Sequence, residues 1–466
     1  MGESSRIGRT RTFPLPGTPV ASMRCALASC QNFAQGFYTA YRDLAEQDVD
    51  FVFFVGDYIY EQGAQANPVV PGRNHTGAEI FSVTDYRNRY ALYRLDAHLQ
   101  DAHARFPFIV TPDDHEVDND YAGTIAEEGA PYQGADFLQR RKNAYQVYSE
   151  MMALRPENRL QANKGKLTLY RQLKFGSLAD IFVLDTRQFR TDQPAEDGFG
   201  STDPDSAALE PALREKLYDA AGINDPAASM MGATQESWLA NGLGKSRAKW
   251  NIIAQQVMVM PWNLVRTAAL NIQFNPAIPD ALKTQLLAAI GQVDNFVNVD
   301  AWDGYPAARA RLLQMLATIK PSNPIVLSGD IHSAWAANLL SDFSNPNSDP
   351  VAAEFVCTSI ASTFLTQDPR PADAIVRPGV KNDNPHIAFF NGLFRGYCLC
   401  DVDANRWQTT YRAVGTLADT QNPSALALTP MESSTVETDA VIEIQSGFNK
   451  PASGKRLAVD FARIPL

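Results

Sequence analysis

Short, continuous apolar runs alternate along the chain with stretches of helical spacing, and most of the apolar runs stop abruptly on polar residues. Met23–Ser29 reads as a strand ending on Cys30-Gln31. Phe51–Val55, aromatic and β-branched throughout, reads as a strand buried on both faces and ending on Gly56-Asp57, with Tyr60 just beyond. Between them Phe37, Tyr38, Tyr41, Leu44 and Ala45 recur at helical spacing within Gln35–Gln47, which predicts a strand, a helix and a parallel strand joined by a right-handed crossover. Further strands are expected at Phe106–Thr111, Ile181–Leu184, Asn251–Val259 and Pro324–Leu327, with helices at Thr84–His98, Ala135–Leu154, Gln235–Leu243 and Ala307–Ile319. Tyr397–Val402 and Trp407–Val414 flank the turn-forming Asp403-Ala404-Asn405 as an antiparallel hairpin. Residues 1–20 form an extended entry segment, Gly63–Thr84 is a loop, and 190–232 and 262–303 read as surface excursions, the second with helical content.

The strand ends carry the chemistry. Cys30, Asp57, Asp114-His115, Asp185-Arg187 and Asp330-His332 each follow directly on a predicted strand. In open α/β sheets, groups placed beyond the carboxyl ends of the strands converge on one rim. A single Asp in such a place is ordinarily a helix N-cap, but the same arrangement five times, with His or Cys alongside, points to a shared site. Carboxylates crowded in a partly dry crevice take up protons unless cations neutralise them, so metal ions are the simplest partner. Asp57 is central enough to bridge two cations. Tyr60 and Cys30, as phenolate and thiolate, suit a trivalent or borderline metal such as iron, and Asp114 and Asp330 offer hard oxygens that suit calcium or magnesium.

Composition narrows the partners. A net charge of −11 argues against a basic surface that reads nucleic-acid phosphates or binds an anionic membrane, so an anionic substrate needs positive charge concentrated locally, as bound cations supply it. With 45% hydrophobic and 20% charged residues the chain is an ordinary globular one, and its apolar runs are too short to cross a bilayer. The five cysteines, Cys25, Cys30, Cys357, Cys398 and Cys400, do not make a disulfide scaffold at this length, and Cys398 and Cys400 fall on one face of a strand as core residues. His75, His98 and His103 are expected at the surface.

Seven motifs then carry a resemblance: SCQ at 29–31, GDYIYE at 56–61, PDDHE at 112–116, LDTRQFR at 184–190, DAWDGY at 300–305, GDIHSAW at 329–335 and NPHIAFFNGLFRGY at 384–397. Together they resemble the PhoD-like alkaline phosphatases of the metallophosphoesterase superfamily over almost the whole chain, and GD-x-x-Y is also similar to the purple acid phosphatases, whose Tyr binds ferric iron. The resemblance implies a four-layer α/β/β/α sandwich with mixed sheets, spanning 21–466, that hydrolyses small-molecule phosphate esters with Fe(III) and one or two Ca(II), other divalent cations being alternatives. It implies Cys30, Asp57, Tyr60 and His332 around the iron, and Asp57, Asp114 and Asp330 on the calcium side.

Two departures follow. Asp114 stands where the wider superfamily has Asn, and Gln256 is the nearest candidate where it has a metal-binding His. Family members carry an export signal and a small β-sandwich domain ahead of SCQ; Met1–Val20 has no apolar signal segment, and GRTRTFP at 8–14 resembles the linker from that domain. The resemblance implies a periplasmic or secreted protein.

The chemistry expected of such a site is attack of a metal-activated water on phosphorus. His115 is the candidate to protonate the leaving alkoxide or steady the transition state, and Arg187 to fork onto two phosphoryl oxygens, a salt bridge with Asp185 or another carboxylate being the alternative. His386 is placed at the pocket wall or in the scaffold. A phospholipase D-like diesterase, a metal-stabilised binding module and a thiol hydrolase using Cys30 are the rival readings.

Overall fold

The computed structural model describes residues 6–127, 129–159, 165–193, 225–263, 280, 283–284, 298–364, 368–415 and 429–447. Among the described residues, thirteen strands build two mixed sheets. The first contains β1 (Ser22–Ala28), β2 (Phe51–Phe54), β3 (Phe108–Val110), β11 (Arg395–Asp403), β12 (Arg406–Val414) and β13 (Val436–Gln445), in the order β13-β12-β11-β1-β2-β3. The second contains β4 (Arg171–Phe175), β5 (Ala179–Val183), β6 (Trp250–Ala254), β7 (Pro324–Ser328), β8 (Ala334–Leu340), β9 (Pro350–Val356) and β10 (Ile387–Asn391), in the order β10-β8-β9-β7-β6-β5-β4. Parallel pairing runs through β1-β2-β3 at one edge of the first sheet and through β9-β7-β6-β5 in the middle of the second.

Alternation along the strands sets the layers. Cys25, Leu27, Phe51 and Phe53 pack against Ile181, Ile252, Ile325 and Phe355, which forms the core between the sheets. Ala26, Ala28, Val52 and Phe54, the intervening positions, face the helices α1 (Thr39–Glu46), α2 (Val83–Tyr93), α3 (Ala97–Arg105) and α4 (Gly134–Met151). Phe182, Ile253 and Val326 do the same for α5 (Gly232–Lys245) and α6 (Pro306–Ile319). Helices therefore cover both outer faces, and the expected α/β/β/α sandwich is what forms. A last helix, α7 (Arg370–Asp383), precedes β10. At the start of the chain Phe13 packs on Phe51 and Phe175, with ring centroids 5.0 and 5.1 Å apart.

The predicted helix over Thr84–His98 is two helices. Asp96 caps α3 by accepting from the backbone N–H groups of His98 and Leu99 and pairs with Arg73 at 2.8 Å, so the helical periodicity is cut by a capping carboxylate. The strand predicted over Asn251–Val259 ends at Ala254, because Val259 and Met260 donate their N–H groups to the buried Glu354 carboxylate, both at 2.8 Å, in place of a neighbouring strand. The hairpin of β11 and β12 forms as predicted, with Cys400 facing Cys25 of β1, and all five cysteines are buried and free. Most of the two predicted excursions, 194–224 and 264–297 apart from 280, 283 and 284, lies outside the described residues. His75 is not at the surface: it is 2% exposed, with Nε2 3.0 Å from the Tyr93 hydroxyl. His98 is half-buried, and half-buried His103 stacks on Phe108 and bonds the Tyr58 hydroxyl at 2.8 Å.

Candidate active site

The carboxyl ends of the parallel strands do meet, and two glycines let them. A Cβ on Gly56, at φ +128°, would stand 2.3 Å from Cβ of Asp113, and one on Gly329 would stand 2.5 Å from Oγ of Ser29. The turn after β2 thus closes on the end of β3, and the turn after β7 on the end of β1, which joins the two sheets at one rim. Cys30 N donates to Gly56 O and Gln31 N to Asp57 O, both at 3.0 Å.

Six predicted residues converge there in overlapping groups. Ligand atoms of Cys30, Asp57 and His332 lie within 4.8 Å of one another, as do those of Asp57, Asp114 and His115, and those of Asp113, Asp114 and Asp330. Asp57 belongs to two groups and so does Asp114. Tyr60 joins the first through its hydroxyl, which is 2.9 Å from Asp57 Oδ2 and 3.0 Å from His332 Nε2. Cys30, Asp57, Asp330 and His332 all adopt left-handed backbone, at φ 58°, 60°, 72° and 58°, a conformation that costs side-chain-bearing residues energy and clusters at functional sites.

The electrostatics call for cations. Asp57 Oδ1, Asp113 Oδ2 and Asp114 Oδ1 are buried without a hydrogen-bond partner, an arrangement that costs stability unless something positive faces them. Burial pushes Asp57 and Asp330 well above the usual carboxylate range, with neighbouring acids adding to it. Asp113 is raised by burial to about 7, although Arg187 opposes the shift. Among these four aspartates Asp114 alone is held low, since against burial it has Arg187, His115 and the Asp120 N–H. This donor set fits metal binding: hard carboxylate oxygens shared between groups, with a thiol, a phenol and an imidazole on one side.

His115 is buried, and its Nδ1 stands 2.7 Å from Glu61 Oε2. Burial lowers its proton affinity, but Glu61, Asp114 and Asp57 together raise it well above the ordinary histidine value. Tyr60 packs over the ring with centroids 4.0 Å apart. His332 is the opposite case: Nδ1 bonds Thr363 O at 2.8 Å, and burial lowers its pKa to about 4, so the ring is neutral with its Nε2 lone pair facing the site.

Arg187 is fully buried and its fork is taken by protein. Nη1 and Nη2 donate to the two oxygens of Asp300 at 2.6 and 2.5 Å, and Nε donates to Asp113 at 2.5 Å. The expected fork onto phosphoryl oxygens therefore gives way to the salt-bridge alternative, with Asp300 rather than Asp185 as partner. Asp185 instead shapes its own turn, accepting from the N–H groups of Arg187 and Gln188 at 3.2 and 3.0 Å. Gln256 does not stand in for a metal-binding His either: its side chain is used up on Thr111, Pro112 O and Thr186. His386 belongs to the scaffold, with Nε2 donating to Pro261 O at 2.7 Å and the ring against Phe343.

Four further acids within the motifs prove central: Glu61, Asp113, Glu116 and Asp300. Glu116 accepts from the backbone N–H groups of Asp57, Tyr58 and Asp113 at 3.1, 2.7 and 2.8 Å, which fixes the ends of β2 and β3 against each other. Their place inside the motifs is the only signal the sequence carries for them.

The sequence matches the PhoD-like phosphatase family over residues 25–411. The chain belongs to that family. Among its relatives is alkaline phosphatase D of Bacillus subtilis (strain 168), 40% identical over 415 residues, an alignment that takes in 88% of this chain and 62% of that protein. The chain thus spans about three fifths of that relative's length. A solved structure described as "Structure of PhoD" matches with a TM-score of 0.73 at 36% identity, covering 94% of this chain and 72% of that one. The matched span of the PhoD-like family contains every residue of the three clusters, from Cys30 to His332. Among the described residues no helix is long and apolar enough to cross a membrane.

Proposed function

We propose that this PhoD-like chain hydrolyses small-molecule phosphate esters, monoesters first and diesters on the same site, in a metal-dependent reaction. The observation that carries the reading is the sharing of Asp57 and Asp114 between adjoining ligand groups, which is how a site for neighbouring cations is built. Cys30, Asp57, Tyr60 and His332 would hold a ferric ion, and Asp57, Asp114 and Asp330, joined by Asp113, would hold calcium or another divalent cation. When bound, such cations polarise phosphoryl oxygens and make water a nucleophile at moderate pH.

The chain's own residues do the rest. Glu61 takes the Nδ1 proton of His115 as a hydrogen bond and fixes the ring, which leaves Nε2 free for the site it shares with Asp57 and Asp114. His115 is the proton donor to the leaving alkoxide, and the surrounding carboxylates keep it charged until it gives the proton up. Arg187 works by positioning: its hold on Asp113 and Asp300 keeps the Asp113-Asp114 pair at the rim. Its positive charge, 3.5 Å from Asp114 and 3.9 Å from Asp330, offsets part of the acidic crowd.

The experiment is release of the aryl alcohol from an aryl phosphate and from a bis-aryl phosphate, with and without a chelator. Hydrolysis that stops on chelation and returns when cations are restored is expected, and the ratio of the two rates ranks monoesters against diesters. Activity indifferent to chelators and stopped by alkylation of Cys30 would replace this reading with a thiol hydrolase. By family likeness we place the protein outside the cytoplasm.

A further inference from the structure

One short segment touches three of the four residues proposed to surround the iron. Ile360–Thr363, just after β9, lies against the end of β1: Ile360 N donates to Ser29 O at 3.0 Å, and Ala361 N and Ser362 N donate to Cys30 O at 3.3 Å. Thr363 O accepts from His332 Nδ1 at 2.8 Å. Ser362 is fully buried, and its Oγ lies 2.7 Å from the Tyr60 hydroxyl oxygen. The same Oγ accepts from Asn32 N at 3.1 Å and stands 3.0 Å from Cys30 O.

Counting protons decides what Ser362 does. Three side chains are within hydrogen-bond distance of the Tyr60 oxygen among the described residues: Asp57, His332 and Ser362. Asp57 as a carboxylate only accepts. His332 carries its hydrogen on Nδ1, toward Thr363 O, so its Nε2 also only accepts. Ser362 alone has a hydrogen to give. Its competing acceptor, Cys30 O, already takes two backbone N–H groups, whereas a phenolate oxygen has a full charge and the shorter distance.

We propose that Ser362 is a positioning residue of the metal centre, whose hydroxyl donates to the Tyr60 oxygen when that oxygen is a phenolate, fixing the ring and tempering its electron donation. The inference rests on the reading of Tyr60 as an iron ligand. Removing such a partner frees the ring and makes the phenolate a stronger donor.

The test is the phenolate-to-iron charge-transfer band of ferric-loaded protein, assigned to Tyr60 by its loss in Tyr60→Phe. In Ser362→Ala the band moves to longer wavelength; Ser362→Thr, which keeps the hydroxyl, restores it. A band present in the parent protein and unmoved in Ser362→Ala overturns the inference while leaving the iron reading intact. Absence of any band in iron-loaded parent protein overturns the iron reading and the inference with it.

Discussion

Glu61 Oε2 sits 2.7 Å from Nδ1 of His115, and both residues are buried within the rim where β2 and β3 end. The other Glu61 oxygen accepts from Asn119 N at 3.3 Å, so the carboxylate is fixed from two sides. A ring held at Nδ1 has only Nε2 to offer, and a ring nitrogen of His115 lies within 4.8 Å of carboxylate oxygens of Asp57 and Asp114. Glu61→Gln is therefore expected to lower kcat by about 10-fold to 100-fold, and His115→Ala by about 100-fold to 10,000-fold, with metal content unchanged in both. Steady-state kinetics alongside elemental analysis checks this; loss of metal from the His115 variant would make that residue a ligand.

Asp57 is common to the first two groups of ligand atoms, and one of its oxygens is buried without a partner. Asp57→Asn is expected to abolish turnover and release both kinds of cation together. Elemental analysis of the purified variant decides it, since retention of either metal at full occupancy removes the bridging role.

Arg187 and Asp300 make a doubly hydrogen-bonded pair, buried on both sides, and Arg190 adds a third bond to the same carboxylate at 2.7 Å. Removing one partner strands the other's charge in the interior. Asp300→Ala is expected to cost about 3 to 5 kcal/mol, read as a lower urea midpoint, and to reduce activity by displacing Asp113. A variant as stable as the parent would show that water or another acid replaces the pair.

The left-handed backbone at His332, φ 58°, is held against the preference of any residue with a Cβ. In metal-free protein His332→Gly is expected to be about 1 kcal/mol more stable than His332→Ala, the reverse of the order in an ordinary strand. Urea unfolding of the two variants compares them directly, and an Ala variant equal to or better than Gly would deny the strain.

Burial, with Arg89 adding to it, lowers His75 to about 3. The folded state thus keeps this ring neutral while the unfolded chain takes a proton as pH drops below about 6.5. The stabilisation is complete above that pH and is lost as pH falls from about 6.5 toward 3, amounting to about 2 kcal/mol by pH 5. His75→Gln is expected to flatten the fall of the thermal midpoint between pH 7 and 5, and a fall as steep as the parent's would assign acid sensitivity to other groups.

How much of this was legible beforehand depended on the range of the interaction that carries it. Phe51–Phe54 and Pro324–Ser328 announce themselves as buried parallel strands because continuous burial needs only apolar neighbours in sequence. Asp57, Asp114, Asp330 and His332 are visible for a related reason, since polar residues abutting such strands emerge at a common edge whatever the loops do. Glu116 and Glu61 were not, because each acts on groups brought near only by folding, the backbone of Asp57 and the ring of His115. Asp96 and Glu354 misled the element boundaries in the same manner, one by capping a helix inside a helical pattern, the other by taking N–H groups that would have extended a strand.

Local order along the chain, then, was enough to set the strands, the layers and the residues that end up at the rim, since hydrophobic alternation and strand termini are properties of neighbours in sequence. Which acid pairs with which cation was settled by folding alone. Arg187 meets Asp300 from 113 positions away, and Ser362 meets Tyr60 from 302. No local pattern encodes such distances, because charges in a low-dielectric interior choose partners by proximity in space.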